Sequence, residues 1–387
     1  MPKIGVIHII TKLELGGAQQ NTLYTVSHLD PEKFETYLIT GPGGLLDGEA
    51  SRLGGHLVFI PELKREIHPI FDLVSLIKIR SIIRKIAKSH PGSPLLVHTH
   101  SSKAGILGRL AAYLADRSVI IVHTFHGFGF HDFQNGMTRR LYILLERAVA
   151  RITRRMIFVS RDNAERAGRL GITRGPSHLI RSGISFQAYR KPKTKGPGIR
   201  AELGLAAGLS LVTTVACLKA QKSPLDFIRA AHWVLNVYPD VHFLLVGDGP
   251  LREAAEAEVQ RLQIGNSLSL LGWRRDVPEI LRTSTIFVLA SLWEGLPRVL
   301  IEARLSSLPI VTTDIEGAGE MIEEGRTGFI VPKKDYLALG KKVLYLLENP
   351  EVADRMGAAG RNVPAEYDID EMVKRQQDLY SELVQRG

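Results

Sequence analysis

Short apolar runs alternate along most of this chain with longer stretches whose apolar residues recur every three or four positions. Runs of the first kind read as buried strands and stretches of the second as amphipathic helices. The first half yields strands at Lys3–Ile10, Thr36–Thr40, Leu57–Ile60, Leu95–Thr99, Val119–Thr124, Met156–Ser160 and His178–Arg181. Helices are predicted between them. One leads from the Gly16-Gly17 pair to about His28, and one runs from Ile70 to Lys88 with apolar positions at Ile70, Leu73, Val74 and Ile77. Another follows Lys103 to about Ala115, and a fourth spans Thr138 to Arg155 with Leu141, Leu145, Ala148 and Ile152 as its apolar stripe. Strictly alternating strands and helices imply a parallel sheet wound on both faces.

The pattern breaks once. Ser182-Gly183-Ile184 closes the first half, and the run Lys191 to Gly198 is polar and rich in proline and glycine, the composition of a linker. Alternation then restarts at Ser210–Ala216 and continues through strands at His242–Val246, Thr285–Ala290 and Ile310–Thr313. At 387 residues the chain exceeds one typical domain. The expected division is 1–185, a linker at 186–198, a second domain at 199–366, and a last segment, 367–387, whose helix from Ile369 to about Val384 crosses back to the first domain.

The chemistry concentrates at Ser291-Leu-Trp-Glu-Gly-Leu-Pro-Arg-Val-Leu-Ile-Glu-Ala303, directly after a strand. Gly295 and Pro297 punctuate a turn, and Pro297 suits the first position of a helix because its missing N–H is unneeded there. A helix starting near residue 297 aims free N–H groups and a positive dipole end at the crevice above the strand, which suits a phosphate. Glu294 on the turn and Glu302 in the helix would repel phosphate, so hydroxyls are their expected partners. In the first half Gly16, Gly17, His100 and His126 follow strand ends, where ligands of such sheets bind. The pair Gly16-Gly17 is not the Gly-x-Gly-x-x-Gly fingerprint of dinucleotide binding. His98 and His100 are expected to face opposite ways along their strand and to make a poor metal pair, and His100 to be a structural hydrogen-bonding group.

Glu-Gly-Leu-Pro followed by Glu-Ala at this spacing resembles the donor-binding motif of retaining glycosyltransferases of the GT-B fold, in particular glycosyltransferase family 4. The likeness covers nearly the whole chain and is strongest from about residue 212 to 332. It implies two Rossmann-like, doubly wound domains facing across a cleft. It also implies transfer of a hexosyl group from a nucleotide-sugar to an acceptor, a lipid-linked or surface-polysaccharide glycan such as lipopolysaccharide, with retention and without a metal or other cofactor. By the same resemblance Glu294 holds the transferred sugar, Glu302 the ribose, and Gly295, Leu296 and Pro297 border the diphosphate. Gly16 and Gly17 lie under the diphosphate, His126 is the active-site histidine, and Lys222 neutralises phosphate. The family's usual arginine five residues before that lysine is Cys217 in this chain, with Lys219 as the candidate substitute. The run Leu268 to Asp276 resembles the loop near the nucleobase. An epimerase or sugar-phosphate synthase of the same fold is the alternative enzyme, and a non-catalytic nucleotide-sugar sensor the alternative binding protein.

Composition narrows the setting. A single cysteine excludes a disulfide framework, and no apolar run is long enough for a membrane span. The opening residues enter a strand at once, without the layout of a signal peptide, so a cytoplasmic location is expected. Residues 1–190 carry 26 Lys and Arg against 14 Asp and Glu, a net +12, while the remainder is −2. The basic half is expected to meet an anionic membrane or a phosphorylated acceptor. Nucleic acid is not expected, because no nucleic-acid-binding signature is present. Arg140, Arg147, Arg151 and Arg154 form the predicted basic face, placing the protein peripherally on the inner side of the membrane.

Overall fold

The structure, a computed structural model, describes residues 2–173, 177–190 and 198–386. It divides into two compact units, Met1–Gly183 with Glu366–Gly387, and Ile184–Ala365.

The first unit is built on seven strands: β1 (Ile4–Lys12), β2 (Phe34–Gly41), β3 (Leu57–Phe59), β4 (Leu95–His100), β5 (Ile120–Phe125), β6 (Arg155–Phe158) and β7 (Ser177–Leu179). They lie in the order β3-β2-β1-β4-β5-β6-β7, each pair parallel. The second unit has six, β8 (Ser210–Val215), β9 (Val241–Val246), β10 (Leu268–Gly272), β11 (Ile286–Leu289), β12 (Ile310–Thr313) and β13 (Gly328–Val331). Their order is β10-β9-β8-β11-β12-β13, again all parallel. Helices cover both faces of such sheets, which is why β4 and β9 are buried along their whole length and read as unbroken apolar runs apart from their histidines and Thr99. In each unit the strand order reverses once, between β1 and β4 and between β8 and β11. Ligands of open α/β sheets bind beyond the carboxyl ends of the strands at that reversal.

The last helix, Ile369–Gln385, belongs to the first unit. The side chain of Asp368 caps it by accepting from the Asp370 N–H, a contact worth about 1 kcal/mol. Ile369, Met372, Val373, Leu379, Tyr380 and Leu383 pack against Val6, Leu96, Val122 and Ile157 of the first sheet. Each such aliphatic side chain contributes about 1.5–3 kcal/mol on burial. Gly183 permits the approach, because a Cβ there would stand 2.4 Å from the Ile369 Cα.

Two helices turn other faces to the core than the sequence implied. The helix Pro69–Ser89 buries Ile79, Ile83 and Ile86, and leaves Ile70, Leu73 and Ile77 more than half exposed. The helix Gly136–Ala150 buries Glu146, Val149 and Ala150, while Met137, Leu141, Leu144 and Leu145 face out. The reason is an ion pair. Arg109, fully buried on the helix Ser102–Ala115, donates to Glu146 at 2.6 Å, so a charged residue rather than Leu145 occupies the inner face. This helix also ends at Ala150, five residues before the predicted Arg155. Arg151 is its C-cap and Arg154 already donates its N–H to the Ile121 carbonyl beside β5. The predicted four-arginine helical face is therefore interrupted. Arg140 and Arg147 remain on the helix, and Arg147 donates to the Leu170 carbonyl at 2.6 Å.

Residues 186–190, read from sequence as the start of the linker, form a short helix in the second unit that packs on the helix Arg298–Leu305. The rest of the linker stretch, 191–197, lies outside the described residues. Gly247, just after β9, serves a close approach. A Cβ on it would stand 2.0 Å from the Ala216 carbonyl, and its φ of +133° is one that glycine tolerates.

Candidate active site

The reversal point of the second unit gathers the residues the motif singled out. After β8 the chain runs through Cys217 and a short turn of 3-10 helix, Ala220–Lys222, into Ser223, whose φ of 45° is unusual for a residue with a side chain. After β11 comes the loop Ser291–Pro297. Lys222 reaches across and donates to Glu294, both side chains being mostly buried. Ser291 Oγ donates to the same Glu294 oxygen at 2.8 Å. Gln221 bridges the loops, accepting from the Leu292 N–H through its own carbonyl at 2.7 Å and donating from its side chain to the Trp293 carbonyl at 2.7 Å. Thr313 Oγ1, at the end of β12, donates to the Ser291 carbonyl at 2.5 Å. The Gln221 side-chain amide also lies 3.4 Å from the other Glu294 oxygen, so the carboxylate is held from three directions before any ligand arrives.

The helix after this loop is Arg298–Leu305, so Pro297, expected as the first helical residue, is its N-cap, one position earlier. No side chain caps it, and Leu300 donates to the Pro297 carbonyl at 2.9 Å. Gly317, in the loop after β12, sits against Pro297, Leu296 and Gly295 at 3.1–3.5 Å from where its Cβ would be, and its φ of +80° is a glycine conformation. Leu296 is buried.

Glu302 lies on the second turn of the same helix. Burial pushes its carboxyl upward, opposed by the nearby Arg298 guanidinium, by a hydrogen bond from the Tyr189 hydroxyl and by Lys222. Tyr189 is itself pushed well up, by burial first and by the Glu302 charge second. Lys222, Glu294, Glu302, Arg298 and Tyr189 thus form one electrostatic neighbourhood. Tyr189, Arg298, Gln221 and Ser291 were not singled out from sequence. Ser291 three residues before Glu294 carries a weak signal, but Tyr189, more than a hundred residues upstream, carries none. Downstream, Arg274 is locked by Glu202 and Asp276, which fixes the loop holding Trp273.

In the first unit the strand ends bring other predicted residues to one edge. Gly16 is the extended N-cap of the helix Gly17–His28, with no side-chain cap. A Cβ at Gly16 would meet only the tip of Gln19. His126 follows β5, and its Nε2 lies 3.1 Å from His100 Nδ1. His100 Nε2 in turn lies 3.0 Å from His8 Nδ1. The expectation that His98 and His100 face apart is wrong. Side chains alternate with a period of two residues, so positions 98 and 100 share a face, and their ring centroids stand 4.2 Å apart. The parallel register then sets His8 opposite His98. His8, His98 and His100 bring nitrogens within 4.8 Å of one another, a grouping that could hold a metal ion. The nitrogens that face one another are already engaged, and His98 spends its own on Tyr380 at 2.5 Å and Thr124 at 2.7 Å. Burial drives His8 down to about 3 and His98, His100 and His123 well below the ordinary imidazole range, so these rings are neutral.

Paired all-parallel units with this strand order are the architecture of the GT-B glycosyltransferases, and solved structures bear it out. Anabaena HepE in complex with UDP and glucose matches with a TM-score of 0.81 at 17% identity, over 98% of this chain and 99% of its own. Sucrose-phosphate synthase from Thermosynechococcus elongatus matches with a TM-score of 0.80 at 18% identity, over 100% of both chains. The chain belongs to glycosyltransferase family 4 and is a glycosyltransferase. The model described as "Glycosyltransferase Family 4" matches residues 15–187, and that described as "Glycosyl transferases group 1" matches 197–363. Among curated proteins, the UDP-Gal:alpha-D-GlcNAc-diphosphoundecaprenol alpha-1,3-galactosyltransferase of Escherichia coli is 32% identical over 99% of this chain and 98% of its own length.

Proposed function

We propose that this glycosyltransferase moves a hexosyl group, galactose in the first instance, from a UDP-sugar to a glycan carried on a diphospho-polyprenol lipid, with retention of the anomeric configuration. The observation that carries the reading is the Lys222–Glu294 pair, with Glu302 beside it, at the carboxyl ends of β8 and β11. As the C–O bond to the diphosphate breaks, its electron pair leaves on UDP. Lys222 and the N–H groups at the start of the helix Arg298–Leu305 stabilise that charge, and such preorganised donors are commonly the largest catalytic term. Glu294 then holds hydroxyls of the transferred sugar and Glu302 those of the ribose. Gly295, Leu296 and Pro297 bring backbone to the diphosphate. In the first unit His126 contacts the transferred sugar, and Gly16 and Gly17 allow backbone to approach the diphosphate. The reaction in this reading calls on no metal or other cofactor.

The galactose and the lipid-linked acceptor are supported by the named specificity of the Escherichia coli relative, similar along its whole length. Contact with an anionic membrane, which places the protein peripherally on the inner face, is supported by the +12 charge of residues 1–190 and by the aliphatic side chains left exposed on two helices. No helix of the described residues is long and apolar enough to cross a membrane.

The test is turnover of radiolabelled UDP-galactose with GlcNAc-diphosphoundecaprenol, with NMR of the product's anomeric proton. An α-linked disaccharide lipid is expected. Isomerised UDP-sugar without transfer would mark an epimerase. Binding of UDP-galactose without any turnover would mark a sensor.

A further inference from the structure

We infer that Gln221 is a positioning residue for Glu294. Its side-chain amide holds the carboxylate so that Lys222 and Ser291 take one oxygen, Oε1, and the other, Oε2, is left to accept from a hydroxyl of the transferred sugar. The inference rests on the assignment of Glu294 to the transferred sugar and adds which oxygen meets that sugar and what aims it.

Local structure puts Gln221 beside the acid. The 3-10 turn Ala220–Lys222 follows β8, and the loop Ser291–Pro297 follows β11, the neighbouring strand of the sheet. Three residues complete a 3-10 turn, so the side chains of Gln221 and Lys222 leave it about 120° apart. They close on the two oxygens of Glu294. The backbone beneath them is fixed independently. The Leu218 N–H donates to the Asp248 carbonyl at 2.9 Å, the Lys222 N–H to the Lys219 carbonyl at 2.9 Å, and the Leu292 N–H to the Gln221 carbonyl at 2.7 Å. None of these bonds uses the Gln221 side chain.

That side chain has a separate task. Its Nε2 donates to the Trp293 carbonyl at 2.7 Å and lies 3.4 Å from Glu294 Oε2. Both of those atoms are acceptors, so the amide turns its NH2 group toward them and its own oxygen away. The bond to the Trp293 carbonyl is of ordinary length and anchors the amide, while the second contact is longer than a good hydrogen bond. A carboxylate oxygen offers two lone pairs. On Oε1 they are met by Lys222 Nζ and Ser291 Oγ. On Oε2 the Gln221 amide is the one partner among the described residues. Oε2 is therefore the oxygen with capacity for an incoming hydroxyl. The amide on its flank restrains rotation of the carboxylate about the Cγ–Cδ bond, so the acceptor is aimed before the sugar arrives.

Gln221→Met keeps the length of the side chain and every backbone bond named above but removes the amide. In the full chain, titration calorimetry with UDP, which carries no sugar, is expected to give a Kd close to that of the parent. Transfer from UDP-galactose is expected to lose about 10- to 100-fold in kcat/KM, the cost of a misplaced contact. Gln221→Glu has the same shape but turns acceptors toward the Trp293 carbonyl and Glu294, and should fall at least as far. Donors that each lack one galactose hydroxyl locate the contact: the loss in Gln221→Met is expected to vanish for one of them and to persist for the others. An equal loss with every deoxy donor overturns the inference, as does a loss of UDP affinity in both variants, because the side chain then shapes the loop as a whole. Gln221 variants as fast as the parent while Glu294→Ala is impaired overturn it too. Should Glu294→Ala itself transfer normally, the assignment of Glu294 to the sugar fails, and the inference falls with it.

Discussion

Lys222 and Glu294 stand 72 residues apart in sequence, on loops that follow two adjacent parallel strands, and their side chains are paired at the point where the strand order of the second sheet reverses. In the proposed function, a cation that meets phosphate and an acid that meets hydroxyls neutralise one another until a ligand bearing both groups arrives. Each keeps the other in place, and neither is left as an unpaired charge in a mostly buried site.

Replacing Glu294 with alanine is expected to reduce kcat for UDP-sugar transfer by on the order of 100-fold or more, since it removes a sugar contact and releases Lys222. Lys222→Met should fall comparably. The double variant should lose much less than the product of the two, because the residues act as one unit. Steady-state kinetics on the four proteins check this, and multiplicative losses would show that the pair does not function together.

Glu302 makes a different prediction. Burial raises its carboxyl, so the charged form is disfavoured in the folded state. For a raised acid the folded protein holds the proton longer than the unfolded chain. Stability from this group is therefore lost as pH rises from the unfolded value near 4.5 through the folded one. Glu302→Gln should keep or raise Tm at pH 7, while weakening UDP-sugar binding. Paired thermal melts and titration calorimetry read both effects, and a destabilised Gln variant would refute the account.

The histidine cluster predicts acid sensitivity. His8 titrates near 3, and His98, His100 and His123 well below the ordinary value of 6.5, because burial opposes their charging. The unfolded chain binds those protons first, so stability is fully present above about pH 6.5 and is lost as pH falls. Each group adds about 1.4 kcal/mol per pH unit to the slope, and four together approach about 5 kcal/mol per unit. His90 acts the other way, raised by the Ile86 carbonyl and then by Glu35, and loses stability as pH climbs past its folded value. Denaturant melts between pH 7 and 5 measure the slope, and His123→Leu should lower it by about one group's share.

Arg109 and Glu146 are both essentially out of water. Removing one partner, as in Glu146→Ala, should cost about 3–5 kcal/mol, and replacing both with aliphatic residues far less. Urea midpoints of the single and double variants decide it.

The exposed aliphatic side chains on the helices Pro69–Ser89 and Gly136–Ala150 bear on membrane contact. Leu141→Asp with Leu144→Asp should reduce sedimentation with phosphatidylglycerol vesicles while leaving Tm unchanged, since both side chains already face solvent. Binding that persists would remove the membrane reading.

Most strands were legible in the sequence, because burial on both faces forces near-continuous apolar runs, and glycine and proline mark where each run ends; β10, an edge strand whose side chains are mostly half-buried, was read as part of a loop instead. So was the stretch from Ser291 to Ala303, where turn, helix start and acids follow one another within a single local segment. Tertiary structure alone decided the rest. Which stripe of the helix Gly136–Ala150 turns inward depends on Arg109, supplied by another helix, and hydrophobic periodicity cannot register a buried ion pair. Tyr189 meets Glu302, and His8 meets His100, because the sheet and the helices on it bring together residues about a hundred positions apart. The local run of amino acids sets the period and length of each element. The pairing of strands sets which side chains share a point in space, and that is where the chemistry is assembled.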